Sequence, residues 1–175
     1  MLSILIPVYN EERTIVDVLN KVQGVSLIND LKKEIVIVND CSTDSSESII
    51  MNYISNTKKN NIQYYSFDKN MGKGAAIRKA ITKAKGDFII VQDADLEYDP
   101  NEYNILLKPI LDNFADVVYG SRFMGGNPHR VLFFWHTIGN KFLTFLSNIF
   151  TDLNLTDMET CYKLFDAKIL KNIDL

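Results

Sequence analysis

Short apolar runs along this chain alternate with segments in which apolar residues recur at helical spacing. The runs predict strands, and the intervening segments predict helices. Within each run the apolar residues are continuous, which is typical of strands covered on both faces. We therefore expect an α/β fold in which a mostly parallel sheet lies between two layers of helices. The predicted strands are Leu2–Val8, Glu34–Val38, Ile62–Phe67, Phe88–Gln92 and Val117–Tyr119, and the predicted helices run from about Thr14 to Gln23, Ser45 to Ser55, Gly72 to Ala84 and Pro100 to Asn113.

The composition indicates one globular domain. With 175 residues, 46% of them apolar and 23% charged, the chain is long enough to bury a substantial core, and no linker or repeat marks a boundary. A net charge of −3 argues against a general nucleic-acid-binding surface. Cys41 and Cys161 form no Cys-x-x-Cys pair, which argues against a zinc site or a disulfide framework and favours the cytoplasm. The run Leu2–Val8 is too short for a signal peptide.

Polar segments follow the first four predicted strands. The carboxyl ends of parallel strands lie at one edge of the sheet, where such folds bind ligands, so we expect these segments to share a crevice. Two common nucleotide sites are excluded: the first turn has no Gly-x-Gly-x-x-Gly, and Gly72-Lys73-Gly74-Ala75 is not a P-loop. The four segments are Pro7 to Glu12, Asn39 to Asp44, Asp68 to Gly74 and Asp93 to Glu97.

Three carboxylates stand at alternate positions after the fourth predicted strand. In an extended chain Asp93, Asp95 and Glu97 would point to the same side, so we expect them to converge. Mg²⁺ or Mn²⁺ would relieve their repulsion and keep water and substrate phosphate as further ligands. An isolated Asp-x-Asp is more often a solvated acidic turn, but the neighbouring strand-end segments favour the metal site.

Taken together, the strand-end motifs resemble family 2 glycosyltransferases of the GT-A fold. Each motif is weak alone, whereas four in order, each at a strand end, are specific. Other segments resemble the polyprenyl-phosphate sugar transferases, the dolichol-phosphate mannose synthase-like group, and the resemblance covers the whole chain. The motifs are Ile6-Pro7-Val8-Tyr9-Asn10-Glu11, Val38-Asn39-Asp40-Cys41-Ser42-Thr43-Asp44, Asn70-Met71-Gly72-Lys73-Gly74 and Gln92-Asp93-Ala94-Asp95; the other segments are Asp93 to Pro100, Gly120 to Phe123 and Thr156 to Lys163.

The resemblance implies a single GT-A domain over residues 1–175, a three-layer α/β/α sandwich. It implies a metal-dependent, inverting hexosyltransferase that uses a nucleotide diphosphate sugar of the UDP-glucose or GDP-mannose type and a polyprenyl phosphate acceptor. Full family members usually continue past the Thr156 to Lys163 motif, so the chain is expected to be C-terminally truncated. Two alternatives stay open: a family 2 transferase with a sugar hydroxyl acceptor in surface polysaccharide synthesis, and an inactive nucleotide-sugar-binding domain that needs a partner chain.

The resemblance also assigns residues to the donor. The aromatic ring of Tyr9, with carboxylate acceptors nearby, suits a base and its ribose. The alternative for Tyr9 is an aromatic residue that packs within the turn. Asp40 would accept a hydrogen bond from the base. Lys73, at a glycine-flanked helix start, would approach the diphosphate, unless it is an ordinary surface lysine. The predicted nucleotide-sugar-binding residues are Pro7, Tyr9, Glu11, Asp40, Lys73, Asp93, Ala94 and Asp95.

On the acceptor side, a lipid phosphate is already anionic at neutral pH and needs no strong base, so positioning and electrostatics would carry most of the catalysis. Ser121, Arg122 and Arg130 are the candidate phosphate ligands, with a solvated loop charge as the alternative for Arg130. Asp157 stands where members with hydroxyl acceptors keep a base. With Asp93 and Asp95 it completes the candidate catalytic residues, although a structural role for Asp157 is equally expected.

Residues 131–150 predict an amphipathic helix. It is either buried against the sheet or lies in the membrane interface, and its aromatic residues and its place after Arg122 favour the interface. No run of about 20 apolar residues exists to span a bilayer. We therefore expect peripheral association with the cytoplasmic membrane face, with a homo-oligomer or a membrane partner subunit left open. The apolar stripe is Val131, Phe134, Trp135, Ile138, Phe142, Phe145, Leu146 and Ile149; the polar face is His136, Thr137, Asn140, Lys141, Thr144, Ser147 and Asn148.

Overall fold

The structure is a computed structural model that describes residues 1–57, 59–121 and 134–173. Within these residues the chain forms six strands and six α-helices, and the predicted order of strands and helices is confirmed up to residue 119. The strands are β1 (Leu2–Val8), β2 (Lys33–Asn39), β3 (Ile62–Ser66), β4 (Phe88–Val91), β5 (Val117–Tyr119) and β6 (Lys163–Asp166); the helices are α1 (Ile15–Gly24), α2 (Ser46–Asn56), α3 (Lys73–Lys83), α4 (Tyr103–Leu111), α5 (Phe134–Thr151) and α6 (Ala167–Lys171).

All the described strands belong to one sheet in the order β3-β2-β1-β4-β6-β5. β1 pairs in parallel with β2 and β4, and β2 pairs in parallel with β3. β6 runs antiparallel to both β4 and β5. The expected mostly parallel sheet is therefore confirmed, and the sequence pattern missed β6 because its apolar run is short and follows a polar segment.

Helices cover both faces of the sheet. In β1 the side chains of Leu2, Ile4, Ile6 and Val8 belong to a core shared with α1, α2 and α4, whereas Leu5 belongs to a second core shared with α3 and α6. Burial on both sides explains why the predicted strands have continuous apolar runs. The three-layer α/β/α arrangement is confirmed.

Helix α5 begins at Phe134, inside the predicted amphipathic segment, and ends at Thr151, one residue beyond it. Arg122 and Arg130, predicted to bind the acceptor phosphate, and Val131 of the apolar stripe lie outside the described residues. Across the described ranges, none of the helices has the length and apolar character needed to cross a bilayer.

Candidate active site

The segments that follow β1 and β2 are joined by hydrogen bonds. The amide of Asn10 donates to Ser42 Oγ at 3.0 Å, and Asn10 Oδ1 accepts from the amide of Thr43 at 2.8 Å. The amide of Glu11 donates to Ser46 Oγ at 2.8 Å. Because side chains satisfy these backbone groups, the two segments form one continuous wall at the carboxyl edge of the sheet.

Asp40 ties the segment after β3 to this wall. Its carboxylate is 3% exposed, and its two oxygens accept from the amides of Met71 and Gly72 at 2.7 and 2.8 Å. Gly72 has a φ of 87°, which a residue with a Cβ rarely adopts. Asp40 and Gly72 thus fix the backbone directly before Lys73, the residue that begins α3. Each carboxylate oxygen keeps a second lone pair, so binding of a base by Asp40 stays a prediction.

Lys73 faces the acidic motif. Its Nζ lies 2.6 Å from Asp93 Oδ1, with 58% of the lysine side chain and 14% of the aspartate side chain exposed. Burial lowers the pKa of Lys73, but the hydrogen bond to Asp93 and its charge outweigh burial, and the net pKa is raised. Lys73 therefore carries a positive charge at neutral pH, held beside Asp93. The lysine side chain is more than half exposed, so its binding of a diphosphate stays a prediction.

A cleft of about 290 Å³ opens at this edge of the sheet. Its lining includes every residue predicted to bind the nucleotide sugar. Tyr9 is 47% exposed and lines this cleft. The lining residues are Pro7, Val8, Tyr9, Glu11, Asp40, Asn70, Gly72, Lys73, Ala76, Asp93, Ala94 and Asp95.

The backbone that carries the three carboxylates differs from the expected extended strand, and their role as metal ligands stays a prediction. β4 ends at Val91, and the chain then turns, with Leu96 at a φ of 64° and Asp95 Oδ1 accepting from the Glu97 amide at 3.0 Å. The alternation of an extended strand therefore does not apply. Among the described residues, no three His, Cys, Asp or Glu side chains are grouped closely enough to hold a metal ion. Asp93 and Asp95 face one cleft, which fits an ion that takes one or two carboxylates and completes its shell with phosphate and water.

Glu97 instead lines a neighbouring cavity of about 470 Å³ that shares Lys73 and Asp93 with the cleft. The cavity also contains Lys163, which the sequence had shown only as the last residue of a motif. Lys163 Nζ lies 5.2 Å from the centre of the Tyr119 ring, and burial lowers its pKa. Antiparallel β6 is what brings Lys163 beside the acidic motif, so local sequence carried no signal for it.

A buried network supports the acidic motif from behind. Gln92, 1% exposed, accepts hydrogen bonds from the hydroxyls of Tyr103 at 2.6 Å and Tyr162 at 2.8 Å. Its Nε2 donates to the carbonyl of Asp93 at 3.0 Å. Burial raises the pKa of Tyr162, which keeps its hydroxyl protonated as a donor. The network joins β4, α4 and β6 at the point where the carboxylates begin.

Asp157 is 2% exposed and lies in the segment that leads into β6. The hydroxyl of Thr156, next to it, donates to Ser121 Oγ at 3.1 Å. The structure therefore brings the segment of Asp157 together with the described member of the predicted phosphate ligands.

Helix α5 turns its aromatic side outward. Trp135, Phe142 and Phe145 are 77%, 58% and 60% exposed, whereas Thr144 of the polar face is 5% exposed. Burial of the apolar stripe against the sheet, the alternative left open by the sequence, is therefore wrong for these residues. Thr144 and Asn148 of the polar face are hydrogen-bonded to the segment that precedes β6.

Several proteins with similar sequences are named as dolichyl-phosphate glucosyltransferases. A dolichyl-phosphate β-glucosyltransferase of Dictyostelium discoideum is 30% identical over 131 residues, covering 69% of this chain and 39% of that protein. One from Trichomonas vaginalis is 30% identical over 182 residues, covering 98% of this chain and 55% of that protein. The chain thus spans about half the length or less of these relatives.

Among solved structures, glucosyl-3-phosphoglycerate synthase from Mycobacterium tuberculosis, in complex with Mn²⁺, UDP and phosphoglyceric acid, has a TM-score of 0.73. It is 18% identical, and the match covers 99% of this chain and 58% of that one. This likeness concerns the fold, and the predicted GT-A fold is confirmed. The sequence model described as "Glycosyl transferase family 2" matches residues 3–174, and the chain belongs to that family.

Proposed function

We propose that this chain is the catalytic domain of an inverting glycosyltransferase that moves a hexose from a nucleotide diphosphate sugar to a polyprenyl phosphate. The observation that carries the proposal is the single cleft in which all the predicted donor residues meet, with Lys73 opposite Asp93 and Asp95. The names of the relatives favour a lipid phosphate as acceptor. The donor is a UDP-glucose or GDP-mannose type sugar nucleotide.

In the donor half of the proposed site, Tyr9 would contact the base, and Glu11 the ribose. Lys73 and the free amides at the start of α3 would bind the diphosphate. Asp93 and Asp95 would hold Mg²⁺ or Mn²⁺, which when bound neutralises the charge that develops on the departing nucleoside diphosphate. When the donor binds, Asp93 would release Lys73 and hold the metal ion instead.

In the acceptor half, Ser121, Arg122 and Arg130 would bind the lipid phosphate and direct one of its oxygens at the anomeric carbon. That oxygen is anionic at neutral pH, so no proton needs to be removed, and alignment with the leaving group is the main requirement. Asp157, buried beside this half, would keep the acceptor segment in place.

For a soluble donor and a lipid acceptor to meet, the domain would sit on the cytoplasmic face of a membrane. We propose that the outward aromatic side of α5 enters the bilayer interface. The support is that the polar side of the helix is already bonded to the protein, while Trp135, Phe142 and Phe145 are exposed on an 18-residue helix. Tryptophan and phenylalanine are typical of such interfacial helices.

The test is transfer of radiolabel from a panel of sugar nucleotides to dolichyl or undecaprenyl phosphate in Mn²⁺. We expect a chloroform-soluble product that mild acid releases. Asp95→Asn, which keeps the size of the side chain but removes its charge, serves as the matched negative control. Label that enters only sugar hydroxyl acceptors would contradict the proposal and favour the polysaccharide alternative. Donor binding with no transfer to any acceptor would favour a binding domain that needs a partner chain.

A further inference from the structure

The polar side of α5 is hydrogen-bonded to the segment that carries Asp157. Asn148 Nδ2 donates to the carbonyl of Leu155 at 2.8 Å, and Asn148 Oδ1 accepts from the amide of the same residue at 2.9 Å. One helical turn earlier, Thr144 Oγ1 accepts from the amide of Met158 at 3.2 Å. Two side chains of one helix therefore hold both ends of segment 155–158.

This segment is neither helix nor strand, so no regular ladder fixes its backbone. The described contacts connect it onward to the acceptor half of the site: Thr156 donates to Ser121 Oγ at 3.1 Å, and Asp157 is 2% exposed. Thr144 is itself 5% exposed. A displaced segment 155–158 would move both Asp157 and the partner of Ser121.

The two residue types suit this task. An asparagine side chain has the same donor and acceptor as a peptide group, so Asn148 satisfies Leu155 as a neighbouring strand would. A threonine hydroxyl can accept from an amide while its methyl group packs. Losing either leaves backbone groups without partners at a half-buried place, which is more costly than losing an exposed hydrogen bond.

We propose that Thr144 and Asn148 are positioning residues for the acceptor half of the active site. They touch no substrate; they set the conformation of segment 155–158 and, through it, the places of Asp157 and Ser121. This inference rests on the proposed function, in which Asp157 and Ser121 lie beside the lipid phosphate. The helix would thus have two sides with different tasks: an aromatic side toward the membrane and a polar side that shapes the acceptor site.

The first test measures amide hydrogen exchange by NMR on the complete chain. Thr144→Val should speed exchange of the Met158 amide, and Asn148→Ala that of the Leu155 amide, each by about 3- to 10-fold, the worth of one net hydrogen bond. Thr144→Ser keeps the hydroxyl and should restore wild-type exchange. Thr151→Val is the matched control, because the Thr151 hydroxyl bonds to the Ser147 carbonyl within α5 itself at 2.7 Å. Unchanged exchange at Leu155 and Met158 would overturn the proposal.

The second test separates positioning from general damage. Thr144→Val and Asn148→Ala should raise KM for the lipid phosphate about 5- to 10-fold while the Kd of the sugar nucleotide stays within about twofold. Thr144→Ser should recover the wild-type KM. A parallel loss of donor affinity would overturn the proposal, since it would mean a wider structural defect. If Asn148→Ala does not fold, the comparison of Thr144→Val with Thr144→Ser decides. If the wild-type chain transfers nothing to lipid phosphate, the proposed function fails, and amide exchange still decides this inference.

Discussion

Among single residues, Lys73 and Asp93 determine how the free site is arranged. Their ion pair places a cation where the diphosphate is expected and occupies a carboxylate proposed to hold the metal. Such a partly exposed pair contributes only about 0 to 1 kcal/mol, so the donor and its metal can open it at small cost. Under the proposed function, Lys73 would offset one negative charge of the acidic motif until the donor binds.

Replacing Lys73 by methionine should therefore change two affinities in opposite directions. Mn²⁺ alone should bind about 2- to 5-fold more tightly, because the competing ammonium at Asp93 is gone. The nucleoside diphosphate should bind roughly tenfold more weakly, because a phosphate contact is lost. Mn²⁺ electron paramagnetic resonance and calorimetry measure the two. Lys69→Met, an exposed lysine of the same segment that does not line the cleft, is the control. Weaker binding of both ligands would contradict this role.

The positions of Asp95 and Glu97 predict unequal effects in the donor site. Asp95→Ala should lower sugar-nucleotide affinity in Mn²⁺ on the order of 30-fold or more, because a charged ligand is lost from the cleft. Glu97→Ala, which changes the neighbouring cavity, should lower it by less than about threefold. Calorimetry measures both. Equal losses of sugar-nucleotide affinity in the two variants would support a metal site made of all three carboxylates. Undiminished affinity in excess EDTA would contradict a metal in the donor site.

At the scale of secondary structure, α5 differs from an ordinary surface helix. A helix of a soluble domain usually buries its apolar stripe and exposes its polar side. Here Thr144 is buried and Trp135 is exposed, so the apolar side does not pack on the sheet and is available for an interaction. This reversal is the main physical support for the proposed membrane interface.

Replacing Trp135, Phe142 and Phe145 together by serine should release the protein from vesicles of phosphatidylcholine and phosphatidylglycerol. The loss should be at least about 30-fold, since each aromatic side chain contributes on the order of 1 kcal/mol or more when it leaves water. Donor affinity and the midpoint of thermal unfolding should change little, because these side chains are exposed. Co-sedimentation, calorimetry and circular dichroism measure the three quantities.

The control for this variant is Met51→Ser with Ile105→Ser, which removes two exposed apolar side chains from other helices and should leave vesicle binding intact. If the triple variant unfolds and the parent protein never binds vesicles, the helix belongs to a protein core, and the interfacial proposal fails.

Across the whole molecule, the network around Gln92 connects the sheet to the active site. Tyr103→Phe or Tyr162→Phe should each lower the free energy of unfolding by about 1 kcal/mol, the net worth of one hydrogen bond. Gln92→Leu should cost about 2 to 4 kcal/mol, because it leaves both tyrosine hydroxyls and the Asp93 carbonyl unpaired in a buried place. Urea unfolding measures these differences. A Gln92→Leu cost no larger than that of one tyrosine would show that the network relaxes.

The sequence by itself determined five of the six described strands, the helices between them, the family and eight of the residues that line the cleft at the carboxyl edge of the sheet. These features depend on local periodicity and on residue chemistry at strand ends, and parallel strands bring their carboxyl ends to one edge whatever the details of packing. Tyr9, Asp40, Lys73 and Asp95 could therefore be predicted to lie together although they are far apart in the chain.

Only the tertiary structure decided which partners those residues take and which side of α5 faces out. The turn after β4 separates Glu97 from Asp95. Antiparallel β6 places Lys163 beside the acidic motif. Asp40 accepts a hydrogen bond from the backbone amide of Met71. For α5, the helical period reveals two unlike sides but not which one meets the protein. That choice is made by the hydrogen bonds of Asn148 to Leu155, because a contact between separate segments depends on distances that no local pattern contains.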